Sequence, residues 1–156
     1  MRDSAIPVGV ISDTHGLLRR EAIAALAGSR LIIHAGDVGR PEVLDELRTL
    51  APIHAVRGNV DTAPWAAKLP ATEAVEVGEL LFWVLHDIAE LDLDPGAGFA
   101  AVIFGHSHKP SVEWRDGVLY LNPGSAGPRR FRLPVTVARL SVRRAVIEPE
   151  IVELDV

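Results

Sequence analysis

Two imidazoles separated by one serine, His106 and His108 in GHSHKP, follow directly on the apolar run Ala101 to Phe104. Packing offers no reason to spend two histidines at the end of a strand. Either they are surface polar residues or they converge on something that binds nitrogen. Other apolar runs end in the same way: VGVISDTHG in Asp13 and His15, LIIHAGD in Asp37, IHAVRGN in Asn59 and LLFWVLH in His86. In an extended backbone, residues two apart point to one side, so Asp13 with His15 and His106 with His108 each predict a two-toothed claw. Taken singly, each fragment has an ordinary reading. Gly36-Asp37 and Gly58-Asn59 are good turn dipeptides, and His86 alone fits a satisfied interior histidine. Gathered at one edge, these seven side chains would make a poor electrostatic arrangement without a cation among them. Seven exceed the about four ligands that one zinc-like ion takes. They suit two ions sharing a carboxylate, an arrangement whose usual chemistry is in-line phosphoryl transfer, here to water.

The elements that must position these residues alternate in the first half of the chain. Short β-branched runs at Val8–Ser12, Leu31–Ala35 and Ile53–Val56 predict strands. Between them, LLRREAIAALAG carries apolar residues at Leu18, Ala22 and Leu26 with Gly28 as its stop. PEVLDELRTL begins on Pro41 and buries Val43, Leu44, Leu47 and Leu50. Strand, helix, strand, helix, strand implies a parallel sheet with right-handed crossovers, and ligands at its carboxyl edge. The second half is strand-rich: two strands about Gly78, a hairpin about Asp116-Gly117 and two strands joined near Arg143-Arg144. Two sheets packed face to face with helices outside would bury all of this. The stretches RGNVDTAPWAAKLPA and HDIAELDLDPGAGFA fit no regular element and read as functional loops.

The 156 residues are expected to form a single domain over 1–156, since no linker or repeat interrupts them. With no cysteine, disulfides and thiolate metal sites are excluded, so an ion would be held by nitrogen and oxygen. No apolar run approaches the ~20 residues of a bilayer span, and MRDSAIPVGVISD lacks a signal-peptide core. No membrane partner and a cytoplasmic location are the expectations. A net charge of −5 and few interleaved basic and aromatic residues disfavour long nucleic acids. The arginines of PRRFR (128–132) and VRR (142–144) are either solvated turns or anion contacts. Exposed strand edges and Trp65 or Trp114 are where a homodimer would form.

In order, SDTHG, HAGD, RGNVD, LH, GHSHKP and NPGS resemble the metallophosphoesterase (calcineurin-like) superfamily, over essentially the whole chain. More narrowly, they resemble its small single-domain bacterial and archaeal phosphodiesterases, a branch that also includes the retromer scaffold subunit. The resemblance implies a four-layer α/β/β/α sandwich of two mixed sheets flanked by helices. It implies that Asp13, His15 and His108 hold one divalent ion, that Asn59, His86 and His106 hold the other, and that Asp37 bridges them. Manganese is the first expectation for both ions, with nickel, iron, cobalt or zinc as alternatives. A hydroxide between the ions would then cleave a P–O bond of a small phosphoester, with Asp37, Asn59 and His106 taking part in the chemistry. NPGS is expected to turn beside the site, with Asn122 and Ser125 orienting groups there, and His34 and His54 to be supporting or core residues. The other readings on this fold are a non-enzymatic scaffold of the retromer-subunit type, and a phosphomonoesterase or nuclease. Three positions depart from the pattern. Val60 stands where many members carry a histidine, leaving Asp61 as the candidate proton donor. Asp87 replaces a usual glycine after His86. The segment 87–99 is short for the usual crossover, which predicts a truncated lid or helix.

Overall fold

The structure, a computed structural model, describes residues 4–156. Among the described residues, ten strands form two five-stranded mixed sheets. The first sheet contains β1 (Ile6–Ile11), β2 (Leu31–His34), β3 (Ile53–Ala55), β9 (Thr136–Arg143) and β10 (Val146–Glu153), ordered β10-β9-β1-β2-β3. Strands β1, β2 and β3 run parallel, and β9 and β10 extend the sheet antiparallel from β1. The second sheet holds β4 (Thr72–Val77), β5 (Leu80–Leu85), β6 (Ala101–Ile103), β7 (Ser111–Arg115) and β8 (Val118–Asn122), ordered β4-β5-β6-β8-β7. Its centre, β5, β6 and β8, is parallel, and its two edges are antiparallel.

Alternation along the strands builds the space between the sheets. Val8 and Val10 of β1 meet Phe82 and Val84 of β5, Ile103 of β6 and Leu119 and Leu121 of β8 in one buried cluster. The intervening residues of the first sheet, such as Ile11 and Ile32, face outward under α1 (Arg20–Leu26) and α2 (Pro41–Arg48). Pro41 opens α2 at a position where its missing N–H costs nothing, and Val43, Leu44 and Leu47 form the buried stripe. After α1, Gly28 has φ +88°, the left-handed conformation expected of a helix-terminating glycine. The hairpin at Asp116-Gly117 has positive φ at both residues, 51° and 80°, as a tight two-residue turn requires.

The outermost layer on the second sheet is reduced. Its outer face, Leu85, Val102, Val118 and Tyr120, packs against Ile88, Leu91 and Phe104. The covering segment holds only short 3-10 turns, Ile88–Glu90 and Pro95–Ala97, each begun by an aspartate that accepts an N–H two residues on. Pro95, Gly96 and Gly98 keep this segment from continuing as α-helix. The truncated layer expected from its length is present, as turns. Trp65 lies partly buried against the cluster beneath the two helices, whereas Trp114 is exposed on the edge strand β7. Among the described residues no helix is long and apolar enough to cross a membrane.

Candidate metal centre

All the candidate ligands lie just beyond strand ends, in the turns that follow β1, β2, β3, β5 and β6. The claw expected from an extended backbone is not how they are aimed. Asp13, His15, Asp37, His106 and His108 have φ of 55°, 47°, 58°, 73° and 65°, a left-handed conformation rare for residues with a Cβ. Such strain persists only where the surroundings hold it. Here a ladder of loop hydrogen bonds does so: the Asp13, His15 and Gly16 amides donate to the Gly36, Asp37 and Val38 carbonyls at 3.0, 2.9 and 2.8 Å.

The consequence is that His106 and His108 diverge. His108 is buried, with its ring centroid 5.3 Å from that of His15 and its Nε2 3.5 Å from Asp13 Oδ1. His106 is half exposed, with its ring 5.2 Å from that of His86 and its Nδ1 3.3 Å from Asn59 Oδ1. Between the two groups stands Asp37. One of its carboxylate oxygens, Oδ2, lies 3.5 Å from His15 Nε2 and 3.2 Å from His86 Nε2, while Oδ1 accepts the Val60 amide at 3.0 Å. Two sets of potential ligand atoms fall within 4.8 Å of one another: Asp13, His15 and His108, and Asp13, Asp37 and His86. The structure thus brings buried Asp13, Asp37, His86 and His108 together with part-exposed His15 in one cluster, with Asn59 and His106 at its open rim.

The chemistry of these atoms fits a cation. Among the described residues, five buried side-chain polar atoms lack a hydrogen-bond partner. Four of them belong to this cluster: Asp13 Oδ1, His15 Nε2, His86 Nε2 and His108 Nδ1. A buried polar atom left unpaired costs about 1–3 kcal/mol, so their concentration in one place calls for a ligand. His86 makes the case sharpest. Its Nδ1–H donates to the Ala35 carbonyl at 2.8 Å, which turns Nε2 toward the Asp37 and Asp13 carboxylates at 3.2 and 3.8 Å. In the neutral ring that nitrogen is an acceptor facing acceptors, and only a cation or a proton resolves it. Burial pulls the His86 pKa down, but Asp37 and Asp13 outweigh it and hold it above the ordinary histidine value. Asp13 is raised by burial, against the pull of His86 and of the Ser12 hydroxyl, which donates at 2.7 Å.

Supporting residues are as ordered as the ligands. His34 is fully buried and not a ligand: its Nδ1 accepts the Gly36 N–H at 3.1 Å. Its Nε2–H therefore donates to Thr14 Oγ1 at 3.0 Å, and that hydroxyl donates to the Val38 carbonyl at 2.8 Å. Burial drives its pKa down to about 4, so the ring is neutral. His54 is elsewhere, paired with Glu73 at 2.7 Å. Asn122 donates to the Gly105 carbonyl and the Ser107 hydroxyl, and Ser125 Oγ donates to the Asp13 carbonyl at 3.0 Å, so NPGS braces both ligand turns. Ser12 and Thr14 were not singled out in the sequence, although their place on either side of Asp13 was the available signal.

Asp61 is engaged with backbone amides. Its carboxylate accepts the amides of Val38, Gly39 and Gly58 at 3.0, 3.0 and 2.9 Å. Asp87 does reach the site, with Oδ2 3.7 Å from His106 Nε2. The loop after NPGS reaches it too, since Arg130 and Pro128 line a cleft beside His15 and His108.

Residues 6–145 match the calcineurin-like phosphoesterase superfamily domain. A probable metallophosphoesterase of Methanothermobacter thermautotrophicus is 34% identical over 149 residues, covering 85% of each chain. A phosphodiesterase of Methanocaldococcus jannaschii is 31% identical over 137 residues, covering 75% of this chain and 82% of its own. The structure of vacuolar protein sorting 29 from Cryptosporidium parvum superposes with a TM-score of 0.77 at 20% identity, over 97% of this chain and 99% of the other; that likeness speaks to the fold. Two mixed sheets whose carboxyl edges share a cluster of carboxylates and imidazoles agree with these matches. This chain belongs to the calcineurin-like phosphoesterase superfamily.

Proposed function

We propose that the protein is a dinuclear metal-dependent phosphodiesterase, in which Asp13, His15 and His108 hold one ion, Asn59, His86 and His106 the other, and Asp37 lies between. The observation that carries this reading is the convergence of His15 Nε2 and His86 Nε2, one from each set, on a single oxygen of Asp37. When bound, a pair of divalent ions supplies an activated water and neutralises charge gathering on the phosphoryl oxygens. The chain's own residues set the geometry. The Ala35 carbonyl fixes the His86 ring so that Nε2 faces the centre, Ser12 and the His106 amide hold Asp13 Oδ2 at 2.7 and 3.1 Å, and Val60 holds Asp37 Oδ1. Burial of Asp13 and Asp37 strengthens their pull on a cation. Asp61, with three backbone amides on its carboxylate, acts here as a brace and not as a proton donor. The name of the Methanocaldococcus relative supports diesters over monoesters. Presence of every ligand type supports an enzyme over a scaffold.

The experiment strips bound metal with a chelator, then returns manganese, nickel, iron, cobalt and zinc one at a time. Each form is assayed against bis(p-nitrophenyl) phosphate and p-nitrophenyl phosphate, with metal counted by elemental analysis. Two ions per chain and faster diester turnover are expected, both lost in Asp37→Asn. Turnover that survives chelation, or Asp37→Asn with wild-type metal content, would overturn the reading.

A further inference from the structure

Two clefts open from the cluster, one beside each set of candidate ligands, and they differ in charge. On the His86 and His106 side the walls carry Arg57 against two carboxylates, Asp87 and Glu90. On the His15 and His108 side, a cleft of about 270 Å³ is walled by Pro128, Arg129 and Arg130, with no carboxylate. We propose that this second cleft is the subsite for a further phosphate on the substrate, with Arg130 as its counter-charge. The inference deepens the phosphoesterase reading and rests on it: the substrate becomes a small phosphoester carrying a second phosphate on one arm.

An exposed arginine is by itself unremarked surface. Three features set Arg130 apart. First, the loop that carries it is fastened at both ends. Arg19 donates to the Gly127 carbonyl through Nε at 3.3 Å and through a terminal nitrogen at 3.2 Å. Arg129 spends its guanidinium on the Leu133 and Val156 carbonyls, both at 3.2 Å. Second, the base of the loop presses on the ligand turn itself, since a Cβ at Gly127 would strike the Asp13 and Thr14 carbonyls. Arg130, three residues on, follows from this anchored turn and lines the cleft beside His15 and His108. Third, Arg130 has no hydrogen-bond or ion-pair partner among the described residues for its guanidinium, in a chain with 21 acidic against 16 basic residues.

An unpaired guanidinium on an anchored loop is matched to phosphate, whose oxygens accept its forked N–H groups in pairs. Because the loop is already anchored, little ordering is needed when the anion arrives. The carboxylates of Asp87 and Glu90 repel a second phosphate from the other cleft. The two clefts together thus fix which way round an asymmetric ester lies.

The test is calorimetric titration of the manganese-loaded protein with inorganic phosphate and with methylenebisphosphonate, which needs no turnover. The ratio of the two affinities should fall about tenfold in Arg130→Gln, a loss typical of one charged hydrogen bond, with partial retention in Arg130→Lys. The same ratio should hold in Arg57→Gln, because Arg57 lines the other cleft. An Arg130→Gln ratio equal to wild type overturns the subsite while leaving the phosphoesterase reading intact. A wild-type protein that binds neither manganese nor phosphate overturns both.

Discussion

Asp61 binds Gly58 back onto its own turn: the carboxylate accepts the Gly58 amide at 2.9 Å while also taking those of Val38 and Gly39 at 3.0 Å. One buried side chain thereby joins the turn after β2, which carries Asp37, to the turn after β3, which carries Asn59. Replacing it with asparagine sets an NH₂ group against at least one of those amides. The expected cost is about 2–3 kcal/mol, read as a drop of several degrees in the thermal midpoint. A brace and a proton donor differ in one further respect. As a brace, Asp61→Asn slows hydrolysis of a p-nitrophenyl diester and of an unactivated alkyl diester by similar factors. A loss confined to the alkyl ester would restore Asp61 as the acid.

His106 stands between two acceptors, Nδ1 toward Asn59 Oδ1 at 3.3 Å and Nε2 toward Asp87 Oδ2 at 3.7 Å. The Asp87 carboxylate is itself held, since Oδ1 accepts the Ala89 amide at 3.0 Å. A carboxylate behind the far nitrogen favours a proton there and leaves Nδ1 free to face the centre. Asp87→Asn should weaken manganese binding about tenfold, measured by competition with a fluorescent chelator. Glu90→Gln, on the same wall without a contact to His106, should leave that affinity in place. Equal affinities in all three proteins would show that Asp87 does not steer the ring.

Much of this arrangement was legible because residue type and position carried it. Carboxylates, imidazoles and an amide at the ends of apolar runs marked the turns, and period-two alternation marked the strands that present them. Where the reading failed, it had assumed ordinary backbone. His106 and His108 would share a side if extended, but positive φ at both sends one to His86 and the other to His15. That strain is held by Asp13, which accepts the His106 amide, and by Asn122 of NPGS, which donates to Gly105 and Ser107; these contacts are distant in sequence or invisible in the local pattern. Asp61 is a related case: its neighbours in sequence suggested the site, whereas its hydrogen bonds run to amides, which every residue but proline offers. His34 looked like a supporting residue and is one, yet its tautomer follows only from Thr14 and Gly36 meeting it in space.

The neutrality of His34 predicts a pH dependence of stability in the chelated protein. Its folded pKa is about 4, below the unfolded value near 6.5, so the unfolded chain takes up the proton first. Its contribution is complete above pH 6.5 and is lost as the pH falls through about 4. Across that window the loss amounts to roughly 3 kcal/mol. Urea unfolding at intervals between pH 7.5 and 4.5, compared with His34→Gln, isolates this residue from Asp13 and His86, which titrate in both proteins. The wild-type curve should fall more steeply; parallel curves would mean that His34 is charged in the folded state.

Glycines separate crowding at the centre from backbone strain elsewhere. A Cβ at Gly58 would meet the Asp37 carboxylate and its amide nitrogen, neither of which is free to yield: one oxygen is held by Val60, and the residue already has φ 58°. Gly58→Ala must therefore displace the carboxylate on which His15 and His86 converge. At Gly117 the reverse holds, with nothing within 4 Å of an added Cβ but φ at +80°. Alanine there costs about 1–2 kcal/mol through the left-handed backbone alone, on a hairpin that contributes no candidate ligand. If Asp37 is the shared ligand, Gly58→Ala loses stoichiometric metal by elemental analysis while Gly117→Ala keeps it at a lower melting temperature. Metal retained in Gly58→Ala would mean that Asp37 can leave its place without consequence, which a bridging carboxylate cannot do.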